Sequence, residues 1–134
     1  LNLANYIGIP FKENGRDFAG CDCYGLVYMI YLFEFGITLP KLDQNYENVS
    51  DHATIRNLVM VNIDDWIEVN DQKLGDVILF KSSYLSGVGY HIGIGLEKNW
   101  MIHAARHAMS AIEKFTSSKW ATKVEGFYRH KLMT

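Results

Sequence analysis

The chain has 134 residues, room for one core of ordinary size and not two, so 1–134 is expected to form a single domain. Apolar residues at 49 % and charged residues at 21 % exclude a disordered or low-complexity chain. Thirteen basic against fifteen acidic side chains leave a formal charge of −2, with no basic surplus for nucleic acid or an anionic membrane surface.

The first residues, Leu1–Asn5, show neither the basic nor the apolar region of a signal peptide, and no initiating Met stands among them, which fits a trimmed chain or one domain of something longer. Apolar stretches such as Leu26–Phe33 fall well short of the roughly 20 residues of a membrane span. Ile7 through Gly20 is turn-rich, and Pro10 and Pro40 bracket the first helical region. There Cys23, Leu26, Val27 and Ile30 fall on one helical face. The spacing predicts a helix over 23–35, with Asp22 as N-cap and Gly36 just past its end. Ser50 or Asp51 caps a second, shorter helix to about Met60, carrying Ile55, Leu58 and Val59. Beyond it, Trp66–Val69, Asp76–Lys81, Tyr90–Leu96, Trp100–Ala104, Ala108–Phe115 and Val124–Arg129 read as antiparallel strands. Helices first and strands second is the α+β pattern, a sheet packed on one side by helices.

Cys21 and Cys23 are too few for a disulfide scaffold and too close to bridge without strain, so both are read as thiols. Cys23 stands at the first turn of the predicted helix, where unpaired N–H groups and the helix dipole favour a thiolate and hence a nucleophile. The plainer alternative is a small buried residue on the core face of that helix.

In Tyr90–Leu96 the residues alternate, with His91, Gly93 and Gly95 on the face opposite Tyr90, Ile92, Ile94 and Leu96. Glycines inside a strand mark close approach by another backbone or a ligand, which sets His91 beside such a site. It is a candidate base, or else a structural histidine on a solvent-facing strand. His103 follows on the next strand and could orient His91, since an imidazole base needs its second nitrogen held. Otherwise it is a surface histidine like His52, His107 and His130. The spacing between Cys21 and Cys23 is tighter than zinc pairs use, so no metal is expected.

If the two imidazoles are to meet, strand parity matters. Residues directly opposite in an antiparallel pair have a constant index sum, 194 for His91 and His103, centred on Glu97. That predicts a connection of odd length around Leu96-Glu97-Lys98, or a compensating bulge, and both rings on the side of Cys23.

Read together, Tyr6–Phe11, Gly15-Arg16-Asp17, Gly20-Cys21-Asp22-Cys23-Tyr24-Gly25-Leu26-Val27 and Phe35–Pro40 resemble the nucleophile half of the NlpC-type cell-wall cysteine peptidases. Leu74–Phe80, His91–Gly95 and Met101–Ala104 are similar to that family's Gly-Asp, base and third-residue strands, in the same order. The resemblance implies a papain-like α+β domain whose nucleophile helix packs on a C-terminal antiparallel sheet. It implies Cys23 as nucleophile, His91 as general base and His103 as orienting residue, with no cofactor and no metal. The backbone N–H of Cys23 is then one oxyanion donor, with Asp22 and Tyr24 flanking the oxyanion and substrate site. Phe11 stands where the family carries an oxyanion-site Tyr, and losing such a donor costs about 2.7–4 kcal/mol of transition-state stabilisation. A weak site is the expected consequence.

The substrate implied is the peptide stem of peptidoglycan, cleaved near the D-glutamyl–diamino-acid linkage. Gly15-Arg16-Asp17, Tyr24 and Glu34–Pro40 resemble the bacteriophage tail-associated branch more than the free bacterial enzymes. That implies a virion tail protein acting in the host periplasm or cell wall beside other phage tail-tip proteins; the alternative location is the bacterial cell envelope. Two rival functions stay open. One is a structural tail-assembly component with a vestigial site, which Phe11 favours; the other is an acyltransferase, which no specific residue supports.

Overall fold

Among the residues that the computed structural model describes, 1–41, 63–81 and 90–134, one α-helix and a six-stranded antiparallel sheet build an α+β fold. The helix, α1, spans Cys23–Glu34. Asp22 caps it by accepting the Gly25 N–H at 2.8 Å. Gly36 turns left-handed at its end, φ +68°, and lets the Ile37 N–H close on the Tyr31 carbonyl. The helix expected from Ser50 to Met60 lies outside the described residues.

A short hairpin of β1 (Arg16–Asp17) and β2 (Gly20–Cys21) precedes α1; the sequence reads there only as turns, because two-residue strands carry no periodicity. The main sheet holds β3 (Trp66–Val69), β4 (Val77–Lys81), β5 (Tyr90–Gly95), β6 (Trp100–His103), β7 (Ala111–Lys114) and β8 (Val124–His130) in the order β3-β8-β4-β5-β6-β7. All six lie in the runs that sequence alternation marks, β8 reaching one residue further.

The sheet is buried on both faces, which is why Val77–Phe80 reads as an unbroken apolar run. Val77, Leu79, Ile92, Ile94 and Ile102 join Leu26, Val27 and Ile30 of α1 in the larger core. The opposite face carries Ile78, Phe80, Met101, Phe115 and Trp120 in a second cluster.

The Gly75-Asp76 pair before β4 is architectural. Gly75 takes φ +96°, a conformation that favours glycine, and its carbonyl accepts the Tyr31 hydroxyl of α1 at 2.6 Å. The buried Asp76 carboxylate receives two hydrogen bonds from Arg129 of β8, at 2.8 and 2.7 Å. These contacts tie helix, turn and sheet together.

The β5–β6 connection corrects one expectation. It has the odd length anticipated, Glu97-Lys98-Asn99, with Lys98 and Asn99 left-handed at φ 57° and 67°. The pairs, however, are Ile94–Ile102 and Gly95–Met101, so the turn centres on Lys98 and not on Glu97. His91 and His103 are therefore diagonal neighbours two residues out of register, still on one face because the shift is even.

Candidate active site

The start of α1 is pinned by one carboxylate. Asp22, fully buried, accepts from the N–H groups of Gly25 and Asn14, both at 2.8 Å, and from Arg16 at 3.0 Å. A buried carboxylate needs this many donors, and here they fix the turn before the helix onto its first residues. Asp22 thus turns inward rather than toward a substrate. So does Tyr24, also fully buried, whose hydroxyl donates to the Pro40 carbonyl. The flanking role expected of these two side chains is taken up by holding Cys23 in place.

Cys23 lies against the sheet where β5 and β6 part. Their pairing stops at Ile94–Ile102, so the next β5 N–H facing that edge, from Ile92, has no strand partner. It hydrogen-bonds to the Cys23 sulfur. This sets the sulfur at the opening between the two strands, one residue along from His91. The two imidazoles do not share the helix side as expected: alternation turns them to the face of Phe80 and Trp120. The thiol lies in the core on the helix side of the sheet and the rings lie on the other side.

Burial overturns the expectation that the helix start lowers the Cys23 pKa. The residue is 1 % exposed, and desolvation pushes its thiol well up, with the Asp22 carboxylate adding to the rise. The Ile92 and Tyr24 N–H groups pull the other way without prevailing. Cys21, also a free buried thiol, is pushed up to about 12, again first by burial. Burial thus favours the neutral thiol at Cys23.

His91 Nε2 meets His103 Nδ1 at 2.8 Å, and His103 Nε2 meets Glu113 Oε1 at 2.5 Å. Trp120, fully buried, stacks on His91 with ring centroids 5.2 Å apart and stands edge-on to His103 at 5.0 Å. Its indole N–H donates to the same Glu113 oxygen at 2.9 Å. Glu113 on β7 and Trp120 beyond it are absent from the sequence reading. An isolated Glu in an alternating strand and a Trp near a turn give no signal until β7 is known to pair with β6.

Burial holds His91 well below its ordinary 6.5, helped by His103 and by the Lys119 and Lys123 ammonium groups. His103 is lowered by burial as well, with Glu113 opposing. His130 belongs with them: it is 5 % exposed, not a surface residue, and packs edge-on against Trp66 at 4.9 Å. Its pKa is lowered, chiefly by burial. In all three the folded state binds a proton less readily than the unfolded chain, so stability is lost as pH falls below 6.5. The melting temperature should hold steady near neutral pH and drop between about pH 6.5 and pH 5. Calorimetry across that range checks it; a flat curve contradicts the burial of uncharged imidazoles.

Phe11 sits just upstream of the helix start, bridged to Cys21, with the Arg106 guanidinium 5.5 Å above its ring. A groove of about 450 Å³ opens beside it, lined by Pro10, Phe11, Glu13, Arg106, His107 and Met109 among others. Glu13 and Arg106 form an ion pair across it. His107 takes left-handed backbone, φ 68°, on that wall, and His52 lies outside the described residues. Among the described residues, no group of three acidic, cysteine or histidine side chains could hold a metal, and no helix is long and apolar enough to cross a membrane.

The model of the NlpC/P60 family matches residues 8–129. The chain is 28 % identical over 130 residues to a gamma-DL-glutamyl hydrolase of Bacillus subtilis, covering 96 % of this chain and 28 % of that protein. It is 23 % identical over 117 residues to the murein DD-endopeptidase MepS/murein LD-carboxypeptidase of Escherichia coli, covering 87 % and 53 %. The chain thus spans about half or less of these curated relatives. A lipoprotein-like NLP/P60 family protein of Staphylococcus aureus superposes with a TM-score of 0.62 at 26 % identity, over 93 % of this chain and 37 % of that one. The NlpC/p60 domain of the peptidoglycan hydrolase SagA does so at 0.60 and 22 %, over 92 % and 89 %. The fold is the papain-like α+β fold of these proteins.

Proposed function

Because the chain belongs to the NlpC/P60 family, we propose that it hydrolyses an amide bond in the peptide stem of peptidoglycan, with Cys23 as nucleophile, His91 as general base and His103 as orienting residue. The observation that carries this reading is the imidazole pair, bonded at 2.8 Å, at the strand end where the Ile92 N–H holds the Cys23 sulfur. With Nε2 of His91 occupied by His103, Nδ1 is the nitrogen left for the thiol proton. The sulfur attacks the carbonyl as His91 takes that proton, and the proton then passes to the leaving amine. Water, deprotonated by the same imidazole, releases the acyl group from its thioester. The developing oxyanion falls to the backbone N–H of Cys23.

The cleaved bond is placed near the D-glutamyl–diamino-acid linkage, and the setting in a phage tail that opens the host wall locally. Support for that setting is the Gly15–Asp17, Tyr24 and Glu34–Pro40 wording. A second reading, a tail-assembly component with a weak site, is favoured by Phe11, which has no hydroxyl to offer an oxyanion.

The test is to incubate the protein with defined muropeptides and identify the fragments by mass. Stem-peptide fragments in amounts that rise with Phe11→Tyr support a peptidase weakened at one donor. An intact substrate with both proteins overturns the enzymatic reading in favour of the assembly one.

A further inference from the structure

We infer that Glu113 is a positioning residue whose carboxylate, acting through His103, determines which nitrogen of His91 carries a proton. The inference deepens the peptidase reading and rests on it for its catalytic meaning, but the hydrogen-bond chain stands on geometry alone.

A carboxylate oxygen accepts hydrogen bonds and donates none. Glu113 Oε1 lies 2.5 Å from His103 Nε2, so that nitrogen carries a hydrogen. In a neutral imidazole the other nitrogen is then a lone pair. His103 Nδ1 therefore accepts, and its partner 2.8 Å away, His91 Nε2, must donate. With hydrogen on Nε2, neutral His91 keeps Nδ1 as a lone pair, the form a base for Cys23 needs. One carboxylate thus sets two tautomers in sequence.

The surroundings leave this task to Glu113. The charged groups acting on the two rings are Lys119 and Lys123, which oppose imidazolium, and Glu113, which favours it at His103. When His91 gains the thiol proton, Glu113 supplies the nearby negative charge. Trp120 fixes the carboxylate by donating to Oε1 at 2.9 Å while stacking on His91. Glu113 faces Met101 across the β6–β7 ladder, a rigid mount for such a group.

Nitrogen-resolved NMR of the histidine side chains tests this directly, without any need for turnover. In the full chain, neutral His91 and His103 should both carry hydrogen on Nε2. In Glu113→Leu, which offers no acceptor, His103 should lose that single tautomer and His91 should follow. Glu113→Asp, which keeps a carboxylate, should retain the wild-type tautomers. Cleavage of muropeptides by Glu113→Leu should fall by up to about 10⁴-fold in kcat, the cost of the wrong tautomer at a catalytic histidine, with KM little changed. Wild-type tautomers in Glu113→Leu overturn the inference. Tautomers that follow Glu113 in a protein that cleaves nothing support the relay and remove the peptidase reading instead.

Discussion

Cys23→Ala should abolish cleavage of peptidoglycan fragments while leaving the protein folded. Nucleophile and base act as a unit, so deleting either costs on the order of 10⁴- to 10⁶-fold in kcat, and His91→Ala should be as inactive as Cys23→Ala. The structural cost of Cys23→Ala is moderate by comparison. The lost sulfur is comparable to one buried methylene, about 0.8 kcal/mol of transfer free energy, and the Ile92 N–H left without it adds about 1–3 kcal/mol, against a whole-domain stability of about 5–15 kcal/mol. Cys21→Ala is the matched control, a buried thiol in the adjoining strand that should leave cleavage intact. Alkylation adds an independent check. Because burial raises both thiols, a neutral alkylating agent should react slowly at neutral pH and faster only above the free-cysteine value of about 8.5. A reactive Cys23 midpoint below that value would replace the neutral thiol–imidazole pair with a thiolate–imidazolium pair. Cleavage surviving in Cys23→Ala would move the chemistry elsewhere.

The helix over 23–34 was legible because its apolar spacing, its Asp22 cap and its Gly36 stop agree with one another. The strands were legible because both periodicity and turn residues delimit them. Cys23, His91 and His103 were visible as candidates on their elements, yet their electrostatics were not. A helix start argues for a low thiol pKa, but burial to 1 % exposure decides the direction, and burial is a property of the packed molecule. Parity placed both rings on one face, whereas the two-residue stagger came from left-handed Lys98 and Asn99, neither of them a glycine that would announce such a turn. Glu113 lay hidden for a further reason. It joins His103 only through the pairing of β6 with β7, a long-range fact that no local pattern encodes. Asp22 and Tyr24 entered through the family resemblance alone, and no local pattern shows that both side chains bond inward.

Gly25→Ala should unfold or badly destabilise the protein, against what helix propensity alone predicts. Alanine in place of a helical glycine ordinarily stabilises by about 0.5–1 kcal/mol. Here the Cβ would stand 1.9 Å from the Gly15 carbonyl oxygen, a backbone atom with no rotamer through which to retreat. The segment at Gly15 cannot move off easily either. Its carbonyl accepts from Arg16 at 2.9 Å, Arg16 also reaches Asp22, and a Cβ on Gly15 itself would meet the Gly20 carbonyl oxygen at 2.3 Å. Two glycines thus let backbone pack on backbone directly beneath the nucleophile turn, where any displacement also strains the Asp22 cap. Forced overpacking of this kind costs typically about 1–3 kcal/mol and occasionally more, which outweighs the propensity gain. Whatever fraction folds should also work poorly, since an error of about 1 Å in a reacting group can cost on the order of 10²-fold in rate. Thermal unfolding and muropeptide cleavage of Gly25→Ala, measured beside Gly36→Ala at the far end of α1, separate the two effects. Gly36 has open space around its Cβ position, so its substitution should cost stability through the left-handed backbone alone and spare the site. A Gly25→Ala protein as stable and as active as the parent would show that the helix start can shift without consequence, and with it the pinned placement of Cys23 would fall.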